Sequence, residues 1–134
     1  MKIILCVDDN YGMMFNNRRQ SRDRVVIQKI IDLAENSTLW INEYSSSLFE
    51  KGCKNLIVDN EFLSKAKTGD YCFIENCSIT PYKDRIEEIV IFYWNREYPA
   101  DMSFDFDLTG WECAESSEFP GHSHEKITME VLRK

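Results

Sequence analysis

The first apolar run, "KIILCV" at positions 2–7, has no polar residue after its lysine and is rich in branched side chains. That pattern predicts a strand buried on both faces. Residues 8–20 are polar around Gly12 and read as a loop. Ser21 can cap the helix predicted over "RDRVVIQKIIDLAEN", where Ile27, Ile30, Ile31 and Ala34 recur at helical spacing. "TLWI" reads as a short strand and "NEYSSSLFEKG" as a short helix ended by Gly52. "KNLIVD" reads as a further buried-type strand, and "NEFLSKAKTG" as a helix with Asn60 as cap and Gly69 as stop.

The second half is richer in strands. "DYCFIEN" is a strand, "SITPYKDR" a turn or short helix around Pro81, and "EEIVIFYWN" the longest apolar run, with β-branched and aromatic residues. "EYPADMSFDFDLTG" is an acidic loop. "WECAESSEF" and "KITMEVLRK" flank Pro120 and Gly121 and form a closing antiparallel pair. Strands alternating with helices, followed by strands alone, predict a single α/β domain over residues 1–134. Its sheet is mixed and mostly parallel, with an antiparallel C-terminal hairpin at one edge.

Composition adds limits. A chain of 134 residues is the size of one domain. Hydrophobic residues make up 43%, enough for a packed core. The net charge of −7 argues against broad phosphate-backbone binding, so nucleic acid is an unfavourable partner and a nuclease or RNA-binding role ranks last. The five cysteines form no C-x-x-C and read as free thiols of a reducing cytosol. The N-terminal apolar run is too short for a signal peptide or a membrane span. The expected location is therefore cytoplasmic, with no membrane partner.

Candidate chemistry is sparse. Asp23 stands one turn before Ile27, where a pocket would desolvate its carboxyl, raise its pKa and let it handle a proton. The same position suits an acid in a first helical turn, stabilised by the helix dipole. "GHSHE" offers His122, His124 and Glu125 with Cys113 as metal-ligand types, and H-x-H on a strand would put both rings on one side. Two histidines are too few for a metallo-hydrolase set, and no metal site is expected. Asp101, Asp105 and Asp107 form an acidic loop without EF-hand spacing. No G-x-S-x-G, placed Cys/His pair, G-x-G-x-x-G or P-loop occurs. Arg18, Arg19, Arg22 and Arg24 can grip an anion bidentately or simply solvate an acidic chain.

Several segments taken in order resemble dihydrofolate reductase. "LCVDDNYGMM" resembles that family's first strand and the start of its mobile active-site loop, with Gly12 at the family's glycine. "RDRVVIQKI" resembles the substrate-facing helix, and Asp23 falls on the catalytic carboxylate if one residue is deleted before it. "LWINEYSSSLF" resembles the strand and helix start that carry cofactor contacts, "KNLIVD" the next strand, and "IEEIVIFYWNREYPADMSFDFD" the long strand and loop. "GWECAESSEF" and "SHEKITMEVLRK" resemble the closing hairpin.

The resemblance implies a dihydrofolate-reductase-like fold. It implies a cleft served by Asp23 as catalytic acid, with Cys6, Gly12, Arg18, Arg19, Arg22, Ile27, Trp40, Asn42, Ser45 and Phe92 as ligand-binding positions. The departures concern the family's usual ligands. The arginine that holds the glutamate tail of folate falls on Cys53. The Gly-Gly pair that approaches the cofactor pyrophosphate falls on Glu75 and Asn76. The cofactor-binding glycine and arginine fall on Asn42 and Glu43, leaving Ser45, and the threonine behind the catalytic carboxylate falls on Phe92. A glutamate at a phosphate site repels phosphate and fills space that glycine leaves open. NADPH is thus disfavoured as cofactor. Two readings stay open: a diverged reductase-like or heterocycle-binding enzyme using Asp23, and a non-catalytic module whose arginines meet an acidic ligand or partner.

Overall fold

The computed structural model describes residues 1–49 and 52–134. In chain order the elements are β1 (Lys2–Val7), β2 (Gly12–Phe15), β3 (Arg18–Arg19), helix α1 (Arg24–Leu33) and β4 (Leu39–Ile41). A 3₁₀ helix at Glu43–Phe49, β5 (Leu56–Val58), α2 (Phe62–Lys65), β6 (Tyr71–Phe73) and a 3₁₀ helix at Thr80–Arg85 follow. β7 (Glu88–Tyr93), β8 (Met102–Ser103), β9 (Glu112–Phe119) and β10 (Ile127–Arg133) close the chain.

Seven strands make one sheet in the order β5-β4-β6-β1-β7-β10-β9. β1 runs parallel to both neighbours, with Ile3 beside Cys72 of β6 and Ile4 beside Val90 of β7. β10 reverses direction, pairing antiparallel with β7 and β9. The architecture is therefore the mixed, mostly parallel sheet with a closing hairpin that the pattern predicts. The apolar run of β1 is explained by its position, since side chains of both parities are covered. Ile3, Leu5 and Val7 face a core shared with Phe62 and Leu63 of α2, whereas Ile4 faces Val26 and Ile30 of α1. Two cores separated by the sheet give three layers. Full burial of one such aliphatic side chain contributes roughly 1.5–3 kcal/mol.

Several local expectations are corrected. Asp23, not Ser21, is the N-cap of α1, with its carboxylate accepting from Val25 N. The predicted stripe is buried at Ile30 and Ala34 and half-buried at Ile27 and Ile31, and Val26 joins it as a further buried position. β5 is an edge strand with Ile57 and Val58 exposed, not a buried one. Asn60 does not cap α2; its Oδ1 accepts from Glu43 N instead. Part of the predicted helix before Gly52, residues 50–51, lies outside the described residues.

The segment 8–20 is not an open loop. β2 and β3 form a hairpin with Phe15 opposite Arg18, turned by Asn16 and Asn17, both at positive φ (51° and 60°). Two successive residues of positive φ make the type I′ turn, and Asn-Asn tolerates it better than most pairs. β8, hidden in the acidic loop, pairs with β2 and completes a small second sheet. Asp8 fastens the base of the hairpin. Its buried carboxylate accepts from Gly12 N at 2.7 Å, Asn10 N at 2.9 Å, Tyr98 N at 3.1 Å and Gln20 Nε2 at 3.2 Å.

Candidate active site

Side chains alternate across a strand, so Ile4 and Cys6 of β1 share a face, as do Phe73 and Glu75 and, beyond β7, Phe92 and Trp94. That face is the one α1 covers. Where β1 and β6 end, Cys6, Phe73, Glu75 and Trp94 meet Val26 and Ile27 of α1, Leu48 of the 3₁₀ helix, and Arg19, Gln20, Ser21, Arg22 and Asp23. The result is a slot at the carboxyl ends of parallel strands, where open α/β sheets commonly place ligands. Its cavity volume is about 20 Å³, room for about one water. Anything larger requires a side chain at the mouth to swing out.

One end of the slot is closed by an ion pair. The Arg19 guanidinium donates to both oxygens of Glu75, from Nε at 2.8 Å and from Nη2 at 3.1 Å. Ser45 Oγ donates to Glu75 Oε1 at 2.7 Å from behind. The guanidinium lies over the Tyr44 ring at 4.7 Å from its centroid, and Arg19 N donates to Tyr44 Oη. The pair thus ties the hairpin to the 3₁₀ helix and to the end of β6.

The other end is built on Asp23, which is 2% exposed. Its Oδ1 accepts from Val25 N and His122 N, each at 2.9 Å. Its Oδ2 accepts from Ser123 N at 2.7 Å and from His124 Nδ1 at 2.9 Å. Burial alone pushes this carboxyl up. The N–H donors of His122, His124, Ser123 and Val25 together outweigh burial and hold it far below the usual carboxylate range. The raised pKa expected for a desolvated proton carrier is therefore reversed: the pocket is polar on the side the carboxylate faces.

A carboxylate only accepts, so His124 Nδ1 carries a proton, and in the neutral imidazole Nε2 then keeps its lone pair. Ser21 Oγ donates to that Nε2 at 3.0 Å, and Tyr98 Oη lies 3.3 Å from it. The imidazole is buried and stacked on Trp94 with centroids 4.6 Å apart. Cys6 is a poor nucleophile beside this set. Burial first, then the nearby Glu75 and Asp23 charges, push its thiol well above its ordinary value.

The slot thus brings together Cys6, Arg19, Arg22, Asp23 and Ile27. It does not bring in the other sequence candidates. Gly12 is packed against Gln20, Ala100 and Asp8 at the hairpin base. Arg18 sits in a shallow depression beside Phe15 and Tyr98. Trp40 donates its indole N–H to Asp70, on the opposite face of the sheet. Asn42 binds Asn76 Oδ1, Ser45 reaches the slot only through Glu75, and Phe92 is wholly buried against Phe119. Sequence reasoning missed Ser21, Trp94 and Glu75 as slot residues and His124 as the partner of Asp23. Strand alternation points to Trp94 and to Glu75, which the resemblance placed only as a departure at the pyrophosphate position, and no spacing joins residue 21 to residue 124.

The H-x-H pair is not on a strand. It lies between β9 and β10, with His122 exposed and His124 turned inward. Among the described residues no three His, Cys, Asp or Glu side chains converge as a metal site. Asp101 and Asp107 instead accept from Asn16 N and Thr109 N, and Asp105 accepts from Ser78 Oγ. All five cysteines are free thiols. Among the described residues no helix is long and apolar enough to cross a membrane.

Comparison with protein-family models and with curated proteins finds no match. Among solved structures the chain is similar to the dihydrofolate reductase from Enterococcus faecalis complexed with NADP(H) and RAB-propyl. The TM-score is 0.70 at 10% identity, over 99% of this chain and 95% of that one. The fold is dihydrofolate-reductase-like. The sequence on it is diverged.

Proposed function

We propose that this protein binds a small, flat ligand carrying an anionic group in the slot between α1 and the ends of β1 and β6, and that it is not a nicotinamide-dependent reductase. One observation carries the reading. The slot has apolar walls from Ile27, Leu48, Phe73 and Trp94, and an arginine at its mouth that no carboxylate neutralises: among the described residues Arg22 is exposed and in no ion pair. Moving Arg22 outward opens the space without breaking a charge pair, and the guanidinium can then close over a carboxylate or phosphate bidentately. Gln20 Oε1, buried without a partner among the described residues, supplies an acceptor.

The reductase reading is disfavoured by Glu75. It stands where the resemblance implies a glycine against the cofactor pyrophosphate, and Arg19 and Ser45 fix its carboxylate in place. Millimolar NADPH is expected to leave the melting temperature unchanged. A ligand at 100 times its Kd would add about 2.7 kcal/mol.

A panel of pteridines, purines and aromatic acids, read by thermal shift and then calorimetry, tests the positive claim. At least one anionic member is expected to raise the melting temperature, and Leu48→Trp, which fills the slot, to abolish the rise. A ligand whose effect survives Leu48→Trp binds elsewhere and sinks the proposal. Arg18 and Arg24 are also exposed and unpaired among the described residues, which favours a second reading as a module for an acidic partner. Arg18→Ala with Arg24→Ala would weaken that partner while sparing the slot ligand.

A further inference from the structure

We propose that Ser21, His124 and Asp23 form a nucleophile, base and orienting acid that hydrolyse a small carboxylic ester bearing a second, anionic group. This rests on the slot being the ligand site, and it adds chemistry to it. The three side chains stand in an unbroken line: Asp23 Oδ2 to His124 Nδ1 at 2.9 Å, and His124 Nε2 to Ser21 Oγ at 3.0 Å. Such a set is recognised by geometry and role, not by sequence order or fold.

Each member is held for its task. Asp23 is fixed by three backbone N–H groups, so it stays ionised and selects the tautomer that leaves Nε2 basic. Gly121 passes so close that a Cβ there would lie 2.6 Å from Asp23 Oδ2. The imidazole is clamped against Trp94, itself a wall of the slot. Ser21 is half-buried, lines the slot and stands just ahead of the ten-residue helix α1. Arg22 lines both the slot and the adjoining groove that contains His122 and Ser123, which places a cation where an anionic substituent of the ester would lie.

In acylation, Ser21 Oγ attacks the ester carbonyl carbon and its proton passes to His124 Nε2. The tetrahedral oxyanion collapses, the bond from carbonyl carbon to alkoxy oxygen breaks, and the alcohol leaves with the proton from His124. A water molecule then attacks the acyl-Ser21, giving its proton to His124. The acid departs and Ser21 Oγ recovers that proton. The net reaction is ester plus water to acid plus alcohol. Asp23 touches neither substrate nor reacting atoms and acts as a positioning residue. Tyr98 Oη, 3.3 Å from Nε2, competes with Ser21 for the lone pair.

The full chain is incubated with a fluorophosphonate probe and read by intact mass and peptide mapping. One adduct is expected, on Ser21. Ser21→Ala abolishes it with an unchanged melting transition. His124→Gln slows it roughly 100-fold or more, as loss of a general base does. Tyr98→Phe quickens it. With nitrophenyl esters, hydrolysis of the succinate monoester is expected to outpace that of the acetate, and Arg22→Ala to erase the difference.

No adduct on the folded wild type, an adduct on another serine, or a Ser21 adduct whose rate ignores His124→Gln overturns the proposal. A slot ligand that shifts the melting temperature while Ser21 stays inert overturns the hydrolytic inference and leaves the binding reading standing. Should His124→Gln fail to fold, the Tyr98→Phe rate decides: slower labelling there refutes the competition that the geometry predicts.

Discussion

Replacing Asp23 by asparagine separates the two roles open to that carboxylate. A proton carrier in an apolar pocket would be neutral or nearly so in the folded state, and the neutral amide would be close to an isostere. An ionised anchor accepting from four donors loses much more. The asparagine carbonyl can keep Val25 N and His122 N. Its NH₂ then faces Ser123 N and His124 Nδ1. The imidazole can adapt by changing tautomer, but the Ser123 amide cannot, so one donor loses its partner.

A lost bond to a charged group costs about 1.5–3 kcal/mol. The lost charge at a helix N-terminus costs a further 0.3–1 kcal/mol, roughly. The sum is about 2–4 kcal/mol, a large share of the roughly 5–15 kcal/mol of an ordinary domain. Urea unfolding near neutral pH measures it. The pH dependence gives the sign. The folded carboxyl binds its proton more weakly than the unfolded one, near 3.9. Its contribution is therefore complete above about pH 5 and drains as pH falls through and below 4. The gap between wild type and Asp23→Asn should shrink by about 1 kcal/mol between neutrality and about pH 3. An asparagine variant within about 0.5 kcal/mol of wild type, inside the spread of ordinary surface changes, would refute the anchor. So would a gap indifferent to acid.

Arg19→Met strips the cation from Glu75, whose side chain is only 9% exposed, and is expected to cost about 2–4 kcal/mol. Adding Glu75→Leu should recover most of that loss in a double-mutant cycle. Gly121→Ala is expected to cost about 1–3 kcal/mol by overlap with the Asp23 carboxylate, and to weaken the acid sensitivity just described. Gly69→Ala is expected to cost about 1 kcal/mol for a different reason: nothing lies within 4 Å of the added methyl, but φ is +85°. Gly69→Asn should therefore recover part of that loss, because asparagine tolerates positive φ, and thermal melts of the three proteins rank them.

The order of strands and helices was legible because local pattern carries it. β1 and β7 are apolar on both parities since both faces are covered, and β10 alternates because its hairpin lies near the sheet edge. The hairpin β2–β3 was hidden: Asn16-Asn17 is its turn signal, but the strands on either side are too short for a period to register. Asp23 was visible as a residue of interest, and its surroundings were not. Whether a carboxyl binds or sheds a proton depends on donors that approach from elsewhere in the chain. Here they come from residues 122–124, about a hundred positions away. By the same token, sequence decided that Ser21 precedes a helix and that His124 precedes a strand. Tertiary structure alone put their side chains 3.0 Å apart, because α1 packs on the face of the sheet whose last hairpin turns back over the helix N-terminus.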